Sequence, residues 1–183
     1  MASGPDLLHP SALHPSAPLH PSARLSRRAV LGAGLALAAG AANAACRPVQ
    51  VLFVCPAGSV KSAIAREALK RRAADEGVSV AVSSRGVHPE DHVSPALAAN
   101  LKRDGINPAS EPLRGLAQPD IAQADMIIAF DEASDEPMLR SAQAWKTPSW
   151  NDHYSTARAD LDDRLTGLLT ELKARAARAC GSQ

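Results

Sequence analysis

Val51-Leu52-Phe53-Val54 is an unbroken apolar run that ends on Cys55, crosses Pro56-Ala57-Gly58-Ser59-Val60 and continues through Lys61-Ser62-Ala63-Ile64-Ala65. A buried strand feeding a short loop and then a helix is the unit from which parallel α/β sheets are built. It also fixes where chemistry can sit. Unpaired N–H groups of the loop and the positive end of the helix dipole favour a bound oxyanion, and a thiol placed there is favoured as thiolate. Cys55 is therefore a candidate nucleophile, with Pro56, Ala57, Gly58, Ser59, Val60 and Lys61 as a candidate phosphate cradle. Two other readings compete. A free cysteine is often only a small buried hydrophobe at the end of a core strand. Lys61-Ser62 also has the ending of a nucleotide P-loop, but Cys55 and Val60 stand where both of its glycines are required.

Further along, Ile64, Ala65, Ala68 and Leu69 keep helical spacing from Ser62 to about Ala74, and Val78, Val80 and Val82 alternate as a second strand does. Ser94-Pro95 supplies an N-cap and a first-turn proline, Leu97 and Leu101 a buried stripe, and Gly105 a stop. A proline-containing connection runs from Ile106 to about Gln118. Met126 to Phe130 reads as a third strand and Trp145 to Thr147 as a short fourth. Arg158 to Ala179 reads as the last helix, with Leu161, Leu165, Leu168, Leu169 and Leu172 facing in and Asp160, Asp162 and Asp163 near its start. Alternating strands and helices predict a parallel sheet covered on both faces, with ligands at the carboxyl ends of the strands.

The strand, the cysteine, the five-residue loop, Ser62 and the helix resemble the low-molecular-weight protein tyrosine phosphatase family. The resemblance runs from about Val49 to Leu172 and implies a flavodoxin-like α/β fold, with a four-stranded parallel sheet and helices on both faces. This chain departs from the family where Lys61 replaces an arginine and Ala57-Gly58 replaces Gly-Asn. Guanidinium grips two phosphate oxygens through a planar fork, whereas ammonium is a compact point charge. Hydrolysis through a cysteinyl-phosphate also needs an acid for the departing oxygen and then a base for water. The family places an Asp-Pro and an aromatic between the fourth strand and the last helix. In Trp150-Asn151-Asp152-His153-Tyr154 the resemblance assigns Asp152 as the acid and Tyr154 as a substrate contact, with His153 in place of the proline. Ser84-Arg85-Gly86-Val87 and Ser110 to Arg114 resemble scaffold segments of the family, the second without its histidine.

The implied function is hydrolysis of a phosphomonoester, protein phosphotyrosine or a small aryl phosphate, with Cys55, Lys61, Ser62 and Asp152 as the catalytic set. A phosphate-binding pseudophosphatase is the alternative that Lys61 recommends. The same scaffold serves thiol-dependent arsenate reductases that relay oxidation through cysteines after the third strand. Asp131 to Pro137 contains none, which excludes an internal relay of that kind.

The first 44 residues read as an export leader, and residues 45–183 as one phosphatase-like domain. Three His-Pro-Ser-Ala copies, at His9, His14 and His20, precede Leu25-Ser26-Arg27-Arg28-Ala29, which resembles a twin-arginine signal. A soft Ala/Gly/Leu run and Ala42-Asn43-Ala44 follow. Export, to the periplasm, is the expected localisation. Without the leader, 17 basic and 18 acidic residues remain, a balance that gives no support for nucleic-acid or lipid partners. Cys46, Cys55 and Cys180 are too few and too scattered for a metal site, and no cofactor is expected. In an oxidising compartment Cys46 and Cys180 are expected to pair and leave Cys55 free.

Overall fold

The computed structural model describes residues 47–181, which lie in the second of the chain's two units, 43–183. The expected leader, with Arg27, Arg28 and the histidine repeats, and Cys46 lie outside the described residues.

Four strands, β1 (Val49–Cys55), β2 (Val80–Gly86), β3 (Met126–Phe130) and β4 (Gln143–Trp145), form one all-parallel sheet in the order β2-β1-β3-β4. This is the flavodoxin-like α/β arrangement. The chain reverses its direction of travel across the sheet between β1 and β3, so the crevice beyond the carboxyl ends of those two strands is the switch point where such sheets hold ligands. Cys55 ends β1 there, and Asp131 follows β3.

Alternation along β1 divides the core. Val51, Phe53 and Cys55 face a large cluster with Ile64 and Leu69 of α1 (Lys61–Asp75), Leu97 and Leu101 of α2 (Pro95–Arg103), and Leu161, Leu165, Leu168, Leu169 and Leu172 of α4 (Tyr154–Gly181). Leu52 and Val54 face a smaller one with Ala129, Ala133 and Leu139. That second face is covered by a short helix, α3 (Gln118–Gln123), and by single 3-10 turns at Asp131–Asp135 and Pro137–Leu139. Phe53, Phe130 and Trp145 pack on one another beneath the switch point, with ring centroids 5.6 to 6.0 Å apart. Aromatic groups at such separations make a stiff support.

Helix ends follow the local chemistry. Ser94 Oγ caps α2 by accepting the Leu97 N–H at 3.2 Å, with Pro95 at the first helical position. At the other end Gly105 takes φ +68°, its N–H reaches Lys102 O, and the Ile106 N–H reaches Leu101 O, a Schellman closure. Gly77 closes α1 in the same way through Ala74 O and Ala73 O.

Some boundaries differ from expectation. β2 begins at Val80 rather than Val78, since the Val78 N–H is spent on the closure of α1. β4 lies two residues earlier than Trp145 to Thr147, because Thr147 is drawn into side-chain contacts described below. α3 lies between the end of the connection at about Gln118 and β3, where the sequence reading places no element; it is a short helix whose start is held by the Asp120 carboxylate, which accepts the Ala117 N–H at 2.9 Å. α4 begins at Tyr154 instead of Arg158, so Asp160, Asp162 and Asp163 fall beyond a first turn that carries no acid. The helix dipole therefore does not account for their placement, since its effect is confined to the terminal turn.

Candidate active site

The loop from Pro56 to Val60 is held from outside. The N–H groups of Val87, His88 and Glu90 donate to the carbonyls of Cys55 (3.1 Å), Pro56 (2.9 Å) and Ala57 (3.0 Å). With its carbonyls tied to the segment after β2, the loop keeps amide donors for a ligand. Those of Ala57, Val60, Lys61 and Ser62 find no acceptor among the described residues. Val60, the N-cap of α1, makes no side-chain cap, so the helix start is also left to an anion. Gly58 turns the loop at φ +80°, and its N–H donates to Cys55 Sγ at 3.1 Å. A Cβ at Gly58 would lie 2.7 Å from the Gly86 nitrogen, so glycine is required twice over, for conformation and for space.

Cys55 is a buried, free thiol. Its sulfur lies 3.1 Å from Ser62 Oγ, which also reaches the carbonyls of Gly58 and Arg85, each at 3.3 Å. A hydroxyl has one proton, so Ser62 donates to sulfur or to one of these carbonyls in turn. Arg85 is fixed by its ion pair with Asp120.

Lys61 opens α1, and its ammonium is shared between the Asp131 carboxylate and the Thr147 carbonyl, the latter at 2.9 Å. Asp131 is the single non-glycine residue with positive φ among those described, at 50°. Its other oxygen accepts the Thr147 N–H at 3.0 Å. Asp131 therefore joins the helix start, the end of β3 and the segment after β4. Lys61, assigned from sequence to the phosphate, has two of its three N–H donors engaged by protein, which leaves one.

Asp152 is exposed, and its carboxylate accepts from Ser149 Oγ at 2.6 Å. It makes no hydrogen bond to Cys55, but its loop is tied to the cradle through the segment between β2 and α2. Ser59 Oγ accepts the His92 N–H (3.0 Å), the His92 carbonyl accepts from Asn151 Nδ2 (3.0 Å), and Asn151 Oδ1 accepts the Ser94 N–H (3.2 Å). Tyr154 is half-buried, its ring edge-on to Trp150 at 5.6 Å and its hydroxyl donated to Asp104 beyond α2. Burial raises the pKa of that phenol. The side chain that the family resemblance assigns as a substrate contact is thus also tied to the C-terminal end of α2.

The structure brings Cys55, Gly58 and Ser62 into contact and puts Lys61 at the helix start beside them. Three participants went unnoticed in sequence: Asp131, Thr147 and Asn151. Asp131 carried a usable signal, since it directly follows a buried strand, as Cys55 does. Thr147 and Asn151 carried none, because both act through contacts made only in the folded chain.

Residues 50–174 match the family described as low molecular weight phosphotyrosine protein phosphatase. No curated protein matches the chain at a significant level. Among solved structures, an arsenate reductase in its phosphate-binding state is 20% identical, with 68% of this chain and 98% of that one aligned and a TM-score of 0.57. The thioredoxin-dependent arsenate reductase Cg_ArsC1' of Corynebacterium glutamicum is 24% identical over 72% of this chain and 65% of its own, at a TM-score of 0.58. A low molecular weight protein tyrosine phosphatase from Streptococcus pyogenes is 17% identical over 68% and 93%, at a TM-score of 0.55. At these identities the structures speak for the fold, while the family match spans most of the chain. With the strand-loop-helix at Cys55 placed at the switch point of the sheet, this chain belongs to the low molecular weight phosphotyrosine protein phosphatase family.

Proposed function

We propose that the protein hydrolyses phosphomonoesters through a cysteinyl-phosphate on Cys55. The observation that carries this is the position of Cys55 Sγ within hydrogen-bond distance of the Gly58 N–H and Ser62 Oγ, at the base of a loop whose carbonyls are tied outward and whose amides remain for an oxyanion. The Cys55 thiolate attacks phosphorus, an S–P bond forms and the P–O bond to the alcohol breaks. Asp152, as the acid, gives the departing oxygen its proton. Water then attacks phosphorus, Asp152 takes a proton from it, the S–P bond breaks and inorganic phosphate leaves. Loop amides and Lys61 stabilise the charge on the equatorial oxygens. The test is turnover of p-nitrophenyl phosphate. Cys55→Ser should abolish it, and Asp152→Asn should slow it by roughly 10² to 10⁴. Background rates in wild type would leave the second reading, a phosphate-binding pseudophosphatase. That reading is favoured by the engagement of Lys61 with Asp131 and Thr147.

We also infer export, from the twin arginines and Ala42-Asn43-Ala44. It is supported by the state of the described cysteines, with Cys180 disulfide-bonded and Cys55 free. Structural disulfides persist in oxidising compartments. Unchanged periplasmic yield when Arg27-Arg28 is replaced by Lys-Lys would refute the twin-arginine route.

A further inference from the structure

A cavity of about 730 Å³ is lined by none of Cys55, Lys61 and Asp152. It opens between α1, α2 and the segment after α2, and Val93, Leu101, Ile106, Pro112 and Leu113 are among the residues that line it. Leu113 is one of two large hydrophobic side chains that stay exposed among the described residues. Small-molecule sites span roughly 300 to 1,000 Å³ and are mostly apolar with a few polar groups, which describes this cavity.

Charge at its edge leaves more cations than acids unpaired. Glu111 is committed to Lys70 and lies 3.7 Å from Arg66. Burial alone would raise its carboxyl, but the Lys70 hydrogen bond and the charges of Arg66 and Lys70 hold it below the usual range. Asp91 accepts the Val93 N–H. Lys102 and Arg114, both exposed and both lining the cavity, make no ion pair or side-chain hydrogen bond among the described residues. Glu111 is ion-paired, Asp91 has only a backbone hydrogen bond, and two cations are open against that one acid.

Its inner wall includes Gly58 and Ser59, the back of the loop that cradles Cys55. Leu113 Cδ1 lies only 2.9 Å from where a Gly58 Cβ would be, so Leu113 packs directly against the turn of that loop.

We propose that this cavity is a binding site for a small amphipathic anion, with its apolar body against Leu101, Ile106 and Leu113 and its charged group toward Lys102 and Arg114, in contact with the outer side of the Cys55 loop. The site shares Gly58 and Ser59 with the outer side of the phosphate cradle, includes none of Cys55, Lys61 and Asp152, and does not depend on turnover there.

The test is an amide NMR titration with decanoate below its micellar concentration, and with decan-1-ol as the uncharged probe. Decanoate should give saturable shifts at Leu101, Leu113, Gly58 and Ser59, with an affinity at least about fivefold above that of decanol. Ala98→Trp, at an exposed position lining the cavity, should abolish them. The double variant Lys102→Glu, Arg114→Glu changes two surface side chains and should bring decanoate down to the level of decanol even if the tryptophan variant fails to fold. The proposal is overturned if decanoate shifts do not saturate, if Gly58 and Ser59 stay unmoved, if decanol binds equally well, or if either variant binds decanoate as wild type does.

Discussion

Lys61→Arg isolates the contribution of one donor set. The ammonium has three N–H bonds, and the contacts to Asp131 and Thr147 O use two of them. A guanidinium has five in a planar fork, so arginine keeping the same two partners has three left, enough for two oxygens of a phosphoryl group at once. The gain is one further charge-assisted hydrogen bond, worth about 1.5 to 3 kcal/mol. If that bond strengthens in the transition state, each 1.36 kcal/mol is tenfold, so kcat/KM should rise by about ten- to a hundredfold. The assay is steady-state hydrolysis of p-nitrophenyl phosphate by wild type and Lys61→Arg, with Cys55→Ser as the blank and circular dichroism to show that all three are folded. A folded Lys61→Arg protein whose kcat/KM equals or falls below that of wild type would refute the reasoning. It would mean that Asp131 and Thr147 have shaped this corner for an ammonium.

Gly58→Ala should destabilise the fold by about 2 kcal/mol or more, since φ +80° strains any L side chain and the new Cβ meets Gly86 backbone at 2.7 and 2.8 Å; a melting temperature unchanged from wild type would count against it. Asp125 holds Arg47 at 2.6 Å and the Gln50 N–H at 2.8 Å. Burial opposes its ionisation, but these partners hold its carboxyl below the usual aspartate value. A lowered folded-state pKa gives stability that is present above pH 3.8 and is lost as pH falls through the folded value. Asp125→Ala should therefore cost about 1 kcal/mol in urea unfolding at pH 7 and progressively less in acid, and a cost that is constant with pH would contradict this. Cys180→Ser should lower stability by about 2 to 4 kcal/mol, and peptide mapping of the exported protein under non-reducing conditions that finds Cys180 as a free thiol would rule out that contribution.

Local sequence determined whatever depended on neighbours along the chain. The run Val51–Cys55 is apolar on both faces, and so could only be a central strand. Ser94-Pro95 and Gly105 bounded α2 because capping and left-handed closure are settled within a few residues. The family resemblance at Cys55 and Ser62 was legible for the same reason, since a five-residue loop cradling an anion is a local object. Only the tertiary structure decided which partners the charged side chains take. Lys61 meets Asp131 and Thr147, 70 and 86 residues away in sequence, because the order β2-β1-β3-β4 puts the ends of β1 and β3 side by side. Tyr154 turns to Asp104 because α4 starts one turn earlier than its leucine stripe suggested. Strand and helix follow from periodicity, whereas the pairing of a long, flexible charged side chain depends on which distant backbone the sheet brings within reach.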